Sequence, residues 1–342
     1  MSQFSRRAAG LAALTASIVA LAGCPESSGD RSSGESPATA GPSVTPDVVY
    51  GQRSGLALTM DLYRPPVPNG AVVLFINSGG FVSGKMRGYD TLGWNRYRLL
   101  GPDELHLTGD PTPIPLLEQF AFAGLLGAGF SVCDVRHGSS PPFTLPEITA
   151  DVRRAVRFVH GHAADLGVDP DRIGVWGVSS GGYLALYAAM AGDDGSAGAE
   201  NAGPTETGDA GKRPESPVRS AAVFYPAGFD LAADAERFPE VAASLPALQA
   251  DPAVLDSLSL KHYLSPDAPP CLIVYGDADF PFIVESSESV YVGLTRLGVE
   301  CRRVIMPGSG HEFRGPDGYR PEHGRSAQAE MVDWFRKTLA AR

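Results

Sequence analysis

The sequence predicts a mostly parallel, doubly wound α/β sheet led by an antiparallel hairpin, and three observations carry that prediction. From Ala71 onward, apolar runs of strand length alternate with segments of helical periodicity, the pattern that winds a parallel sheet with helices on both faces. Ahead of them lie two strand-like runs, Val48 to Tyr50 and Leu56 to Tyr63. In the second, Leu56, Leu58, Met60 and Leu62 alternate with Ala57, Thr59 and Asp61, as in a half-buried hairpin. Third, residues 172–190 (RIGVWGVSSGGYLALYAAM) read as strand, sharp turn and helix, with Ser179 at the tip between Gly177 and Gly181. A chain with 40 glycines in 342 residues produces such a glycine–serine–glycine pattern by chance, so its context decides its meaning.

Taken in order, the chain opens on a targeting segment, residues 1–24. Arg6 and Arg7 precede an apolar run from Ala8 to Ala22, too short and too rich in Ala and Gly for a stable membrane span. It ends in Leu21-Ala22-Gly23-Cys24, which resembles the bacterial lipoprotein signal. That resemblance implies lipidation of Cys24 and an exported protein anchored to a bacterial membrane on its periplasmic or cell-surface side. Acyl chains hold a protein there because each buried CH₂ contributes about 0.8 kcal/mol. Residues 25–45 are Ser, Gly, Pro and acidic residues with little to bury, the composition of a disordered tether. The globular domain is expected over 46–342.

Within it, Arg64-Pro65-Pro66-Val67-Pro68-Asn69-Gly70 stops the hairpin. Ala71 to Ile76 is continuously apolar, a strand covered on both faces, and it runs into Asn77-Ser78-Gly79-Gly80. Residues 87–118 and 192–216 are irregular or low in complexity and read as surface insertions. A short helix is expected over Ala121 to Gly127 and a strand over Phe130 to Val135. Ile148, Val152, Ala155, Val156 and Val159 recur at helical spacing within 146–164. Further strands are expected at Ala221 to Tyr225, Cys271 to Tyr275 and Arg303 to Met306. Helices are expected within 230–262, over Glu285 to Leu297, and over 321–340.

Composition excludes some functions. The formal net charge is −11, with no run of Lys and Arg longer than two residues, as at Arg6-Arg7 and Arg302-Arg303, whereas a nucleic-acid binder needs a Lys/Arg face for phosphates. No His/Cys/Asp spacing matches a metal site, and no cofactor is implied. With Cys24 lipidated, Cys133, Cys271 and Cys301 remain. Cys271 and Cys301 open strands that should be neighbours, so a bridge is open to them, but buried free thiols are the favoured reading.

Ligands of such sheets bind beyond the carboxyl ends of the strands, where Ser179, the 77–80 loop, Asp279 and His311 all fall. A serine hydroxyl needs a base, and the base an orienting acid. Downstream of Ser179 the histidines are His262, His311 and His323. His262 precedes a strand, on the wrong edge, and His323 lies at the start of the last helix. His311 follows the last strand in a Gly-rich loop, where a base could fold back over the serine. Both Asp277 and Asp279 could supply the acid; Asp279 has the longer reach, and Asp277 better suits bracing its own turn. The oxyanion needs waiting N–H donors, with Ser180, Gly79 and Gly80 as the candidates.

These residues carry a resemblance. From about Val48 to Ala340 the chain resembles the α/β-hydrolase superfamily, nearest the esterase/lipase branch that includes hormone-sensitive-lipase-like and feruloyl- or acetyl-xylan-esterase-like enzymes. It rests on residues 73–84 (VLFINSGGFVSG), 169–182 (DPDRIGVWGVSSGG), Ser265-Pro266-Asp267-Ala268-Pro269-Pro270, Gly276-Asp277-Ala278-Asp279 and Gly310-His311-Glu312-Phe313. The resemblance implies a Ser179–Asp279–His311 triad, and carboxylic-ester hydrolysis through an acyl-enzyme on small or carbohydrate-linked esters. Departures are plain: the family's His-Gly-Gly-Gly reads Asn77-Ser78-Gly79-Gly80, and Ser180 stands where Ala is usual. The competing readings are a serine peptidase of the prolyl-oligopeptidase type and a non-catalytic anchored binding protein with the same fold.

Overall fold

A computed structural model of the protein describes residues 41–84, 116–192 and 216–341. The expected signal with Cys24, most of the tether and most of both insertions lie outside the described residues. Eight strands form one sheet: β1 (Ser43–Arg53), β2 (Leu56–Arg64), β3 (Val72–Asn77), β4 (Ser131–Arg136), β5 (Ile173–Val178), β6 (Val218–Phe224), β7 (Cys271–Gly276) and β8 (Cys301–Met306). Their order is β1-β2-β4-β3-β5-β6-β7-β8. The β1–β2 and β2–β4 pairs are antiparallel, and every pair from β4 to β8 is parallel. This is the doubly wound sheet with a leading hairpin.

Central strands β3, β4, β5 and β7 are buried at every residue, as parallel strands covered on both faces must be. Helix α1 (Leu116–Gly127), α2 (Leu145–Gly161), α3 (Ser180–Met190), α4 (Leu231–Arg237), α5 (Pro239–Ser244), α6 (Pro252–Ser257), α7 (Pro281–Arg296) and α8 (Pro321–Thr338) complete the described layers. The spacing in α2 buries Ile148, Val152, Ala155, Val156 and Val159, and its start is held by a Thr144/Glu147 capping box. Under the sheet Trp176 packs on Phe75 at 4.4 Å between ring centroids, with Phe122 and Phe224 edge-on.

Several boundaries correct the reading from sequence. The polar stretch assigned to the tether ends early: Ser43 to Thr45 pair with Arg64, Tyr63 and Leu62, and Arg64 donates to Thr45 Oγ1 at 2.7 Å. β2 is not half-buried along its length, because from Met60 to Tyr63 both faces are covered. The inward Asp61 is matched by Arg136 of β4, whose Nη2 lies 2.8 Å from Asp61 Oδ1. Helix α1 begins at Leu116, inside the expected insertion. Helix α7 begins at Pro281 rather than Glu285, since proline at a helix start gives up no intrahelical hydrogen bond. Cys271 and Cys301 are register partners, and both thiols are free.

Candidate active site

Strands β3, β5, β7 and β8 deliver their following loops to one rim. β5 ends at Val178, and the next residue, Ser179, takes φ 53° and ψ −123°, a conformation costly for a residue with a Cβ. The bracketing glycines make the turn sterically possible. A Cβ on Gly177 would run into the Gly181 carbonyl, and one on Gly181 into the Ile76 carbonyl oxygen of β3. Ser179 N–H is fixed to the Phe224 carbonyl at 3.0 Å, so the hydroxyl is carried out over the sheet edge.

Ser179 Oγ lies 3.0 Å from His311 Nε2. His311 Nδ1 lies 3.1 Å from each oxygen of the Asp279 carboxylate. A carboxylate only accepts, so Nδ1 carries the proton and Nε2 is left bare to accept from the serine hydroxyl. The Asp279 side chain is fully buried and takes a second hydrogen bond from Phe280 N–H at 2.7 Å. The imidazole has two aromatic neighbours, Tyr225 at 4.7 Å between centroids and Phe280 at 5.6 Å.

Of the two candidate acids, only Asp279 reaches the ring. Asp277 turns instead to the loop after β8, accepting from Gly308 N–H at 2.5 Å; it braces the neighbouring loop rather than its own turn. His262 lies against Asp256 at 3.1 Å. His323, on α8, bonds Ser309 Oγ at 2.6 Å, and the Ser309 carbonyl takes Ala278 N–H at 2.9 Å. His323 thus supports the loop that carries His311.

The candidate oxyanion donors divide. Gly79 N–H already donates to the Val82 carbonyl at 2.9 Å, which removes it from the set of waiting donors. The tight bend after β3 spends that amide on its own closure. Gly80, at φ +59°, has no backbone acceptor among the described residues. Ser180 N–H, first of helix α3, has no intrahelical carbonyl to bind. Ser180 thus presents its amide directly after Ser179, at the positive end of a helix of eleven residues, and Gly80 is left as the candidate donor of the loop after β3.

Asn77 and Ser78, which depart from the family pattern, anchor this loop. Asn77 Nδ2 donates to Asp134 Oδ1 at 3.0 Å and to the Gly84 carbonyl at 3.2 Å. Burial pushes the Asp134 carboxyl up to about 6, against the pull of Arg136 and Asn77. Ser78 Oγ lies 3.1 Å from Ser180 Oγ, which also accepts Phe81 N–H at 3.1 Å. The two unusual serines thus contact each other across the site. Sequence reasoning noted both substitutions but not their pairing. It also missed Tyr225, whose place beside His311 has no local signal.

Among the described residues there is no cluster of His, Cys, Asp and Glu that could hold a metal ion, and no helix long and apolar enough to cross a membrane. The BD-FAE family model matches residues 117–294, just over half of the 342-residue chain. An ethyl acetate hydrolase of Pseudomonas putida is 28% identical over 283 residues, covering 80% of this chain and 76% of that protein. Esterase LipQ of Mycobacterium tuberculosis is 28% identical over 180 residues, covering 49% of this chain and 38% of that protein. The fold is similar to that of Thermogutta terrifontis esterase 2 phosphorylated by paraoxon, with TM-score 0.60, 21% identity, and coverage of 89% of this chain and 97% of that one.

Proposed function

Because this chain belongs to the BD-FAE family and shares the α/β-hydrolase fold of esterases, we propose that it is a serine-dependent carboxylic ester hydrolase working through an acyl-enzyme. The observation that carries the reading is the unbroken hydrogen-bond chain from Asp279 through His311 to Ser179. Ser179 Oγ attacks the ester carbonyl while His311 Nε2 takes its proton, and the Asp279 carboxylate stabilises the imidazolium. The carbonyl oxygen, now negative, meets the amides of Ser180 and Gly80, and one such donor is worth roughly 10²–10³ in kcat. Collapse of the intermediate expels the alcohol, which receives its proton from His311. Water then repeats the sequence on the acyl-serine, releasing the acid and restoring the triad.

Small esters are the substrate class favoured by the likeness to an ethyl acetate hydrolase; carbohydrate-linked esters are the second. Purified protein should hydrolyse a short-chain p-nitrophenyl ester, and Ser179→Ala should abolish the reaction. Paraoxon, which phosphorylates the Thermogutta enzyme, should add one diethylphosphoryl group to Ser179, found by mass spectrometry. Labelling elsewhere, or full activity in Ser179→Ala, defeats the assignment. Cleavage of aminoacyl anilides but not of esters would favour the peptidase reading. Residues 1–24 are proposed to be a lipoprotein signal, with Cys24 the lipidated residue; labelled palmitate should be incorporated into the full-length protein and not into Cys24→Ala.

A further inference from the structure

The imidazole of His311 has one aromatic neighbour inside the protein and one at its surface. Tyr225 is buried; Phe280 is 54% exposed, among the most exposed large apolar side chains described. Phe280 does not stand alone. Its ring is parallel to that of Phe282, with centroids 5.7 Å apart and 7° between planes, and Phe282 packs on Phe238 at 5.4 Å. Three rings from two segments, the start of α7 and the end of α4, therefore form a continuous aromatic surface running away from the triad.

The chemistry decides which part of an ester meets that surface. The departing oxygen takes its proton from His311 Nε2, so the alcohol portion must lie against the imidazole. The carbonyl oxygen must point the other way, toward the amides of Ser180 and Gly80, where the Leu245 side chain crowds the space above Gly80. Phe280, 5.6 Å from the imidazole, is the exposed one of its two described aromatic neighbours and so the one open to an alcohol group lying against that ring. A ring serving only to support His311 would be covered, as Tyr225 is; half of Phe280 is left open for contact.

We propose that Phe280 and Phe282 form an aromatic subsite for the alcohol portion of the substrate, and that within the class of small esters the enzyme acts on those of apolar, arylalkyl alcohols in preference to those of methanol or of polar alcohols. The proposal rests on the esterase reading above. It separates from that reading experimentally because alcohol preference is expressed in acylation, whereas hydrolysis of the acyl-serine is common to all esters of one acid.

The test compares kcat/KM for methyl butyrate and benzyl butyrate, whose alcohols differ little in acidity and which form the same butyryl-enzyme. The wild type should favour the benzyl ester, and Phe280→Ala should reduce the benzyl-to-methyl ratio about tenfold, the scale of one lost aromatic contact. Phe280→Tyr should retain the ratio. Phe282→Ala, one ring further from His311, should lower it less. As a second measurement, benzyl alcohol should intercept the butyryl-enzyme more effectively than methanol in the wild type and lose that advantage in Phe280→Ala. A wild-type ratio near one overturns the proposal. So does an equal loss on both esters with a displaced pH profile, which would make Phe280 a support for His311 alone. Absence of ester cleavage together with absence of paraoxon labelling at Ser179 would instead remove the esterase reading itself.

Discussion

Replacing Ser180 by alanine tests how the site holds its oxyanion donors. The mutation leaves the Ser180 amide in place and removes only the hydroxyl. That hydroxyl accepts Phe81 N–H and contacts Ser78 Oγ, both at 3.1 Å, and Ser78, Phe81 and Ser180 are all at most 5% exposed. Without it, a buried N–H loses its acceptor, a cost of about 1–3 kcal/mol. Phe81 also sits at φ 66°, a conformation that persists only when its surroundings enforce it. Gly80 directly precedes Phe81 and is itself held at φ +59°, so relaxation of Phe81 shifts the Gly80 backbone and with it the Gly80 donor. Full loss of one donor costs roughly 10²–10³ in kcat. Partial displacement should therefore lower kcat about 10- to 100-fold, with KM changed far less because the ground-state carbonyl makes little use of the donor. Stopped-flow and steady-state kinetics with p-nitrophenyl butyrate provide the assay, beside a melting curve. Ser78→Ala should cost less, since Ser180 Oγ still accepts Phe81 N–H, and the double variant should be non-additive. A Ser180→Ala enzyme with wild-type kcat and an unchanged Tm would refute the reasoning.

The remaining predictions concern the acid, the turn and a buried histidine. Asp279→Asn should lower kcat by about 10⁴, the scale of losing the acid that sets the tautomer; Asp277→Asn, which can still accept Gly308 N–H, should cost less than about tenfold, and reversed sizes would exchange the two roles. Gly181→Ala drives a Cβ against the Ile76 carbonyl and should destabilise by ~3 kcal/mol or more, measured by urea unfolding; an unperturbed variant would mean the turn is looser than described. Burial lowers the His137 imidazole to about 4. The folded state thus prefers the neutral ring, and stability present in full above about pH 6.5 is lost as pH falls toward 4, in total about 3 kcal/mol. Asp134, raised by burial to about 6, gives a slope of opposite sign over part of that range. The quantity to follow is therefore the difference between wild type and His137→Gln in urea melts from pH 7 to pH 4.5: the wild type should lose ground as pH falls, and parallel curves would rule the effect out.

Much of this molecule was legible in one dimension because its signals are local. Strand-length apolar runs between helical spacings specify a parallel sheet wherever they occur, and a parallel sheet sends each following loop to the same rim. The turn at Gly177–Gly181 and the arrival of Ser179, Asp279 and His311 at one rim, after β5, β7 and β8, follow from that geometry. Where local signals failed, a long-range contact had intervened. Ser43 to Thr45 have the composition of a tether, yet join β1 because Leu62 to Arg64 offer them an edge. Asp61 alternates like a solvent-facing residue, yet is buried because Arg136 lies beside it.

The sequence by itself determined the sheet, its rim and the residue types arriving there, since periodicity and chain order suffice for those. Only the tertiary structure decided that Gly79 N–H is spent on Val82 while Gly80 N–H is not, that Asp279 rather than Asp277 meets the imidazole, and that Tyr225 and Phe280 lie beside it. It also joined Ser78 to Ser180, 102 positions apart. The physical reason is range: a hydrogen bond is settled by a few tenths of an ångström in the packing of distant segments, and no pattern of neighbours along the chain encodes that separation.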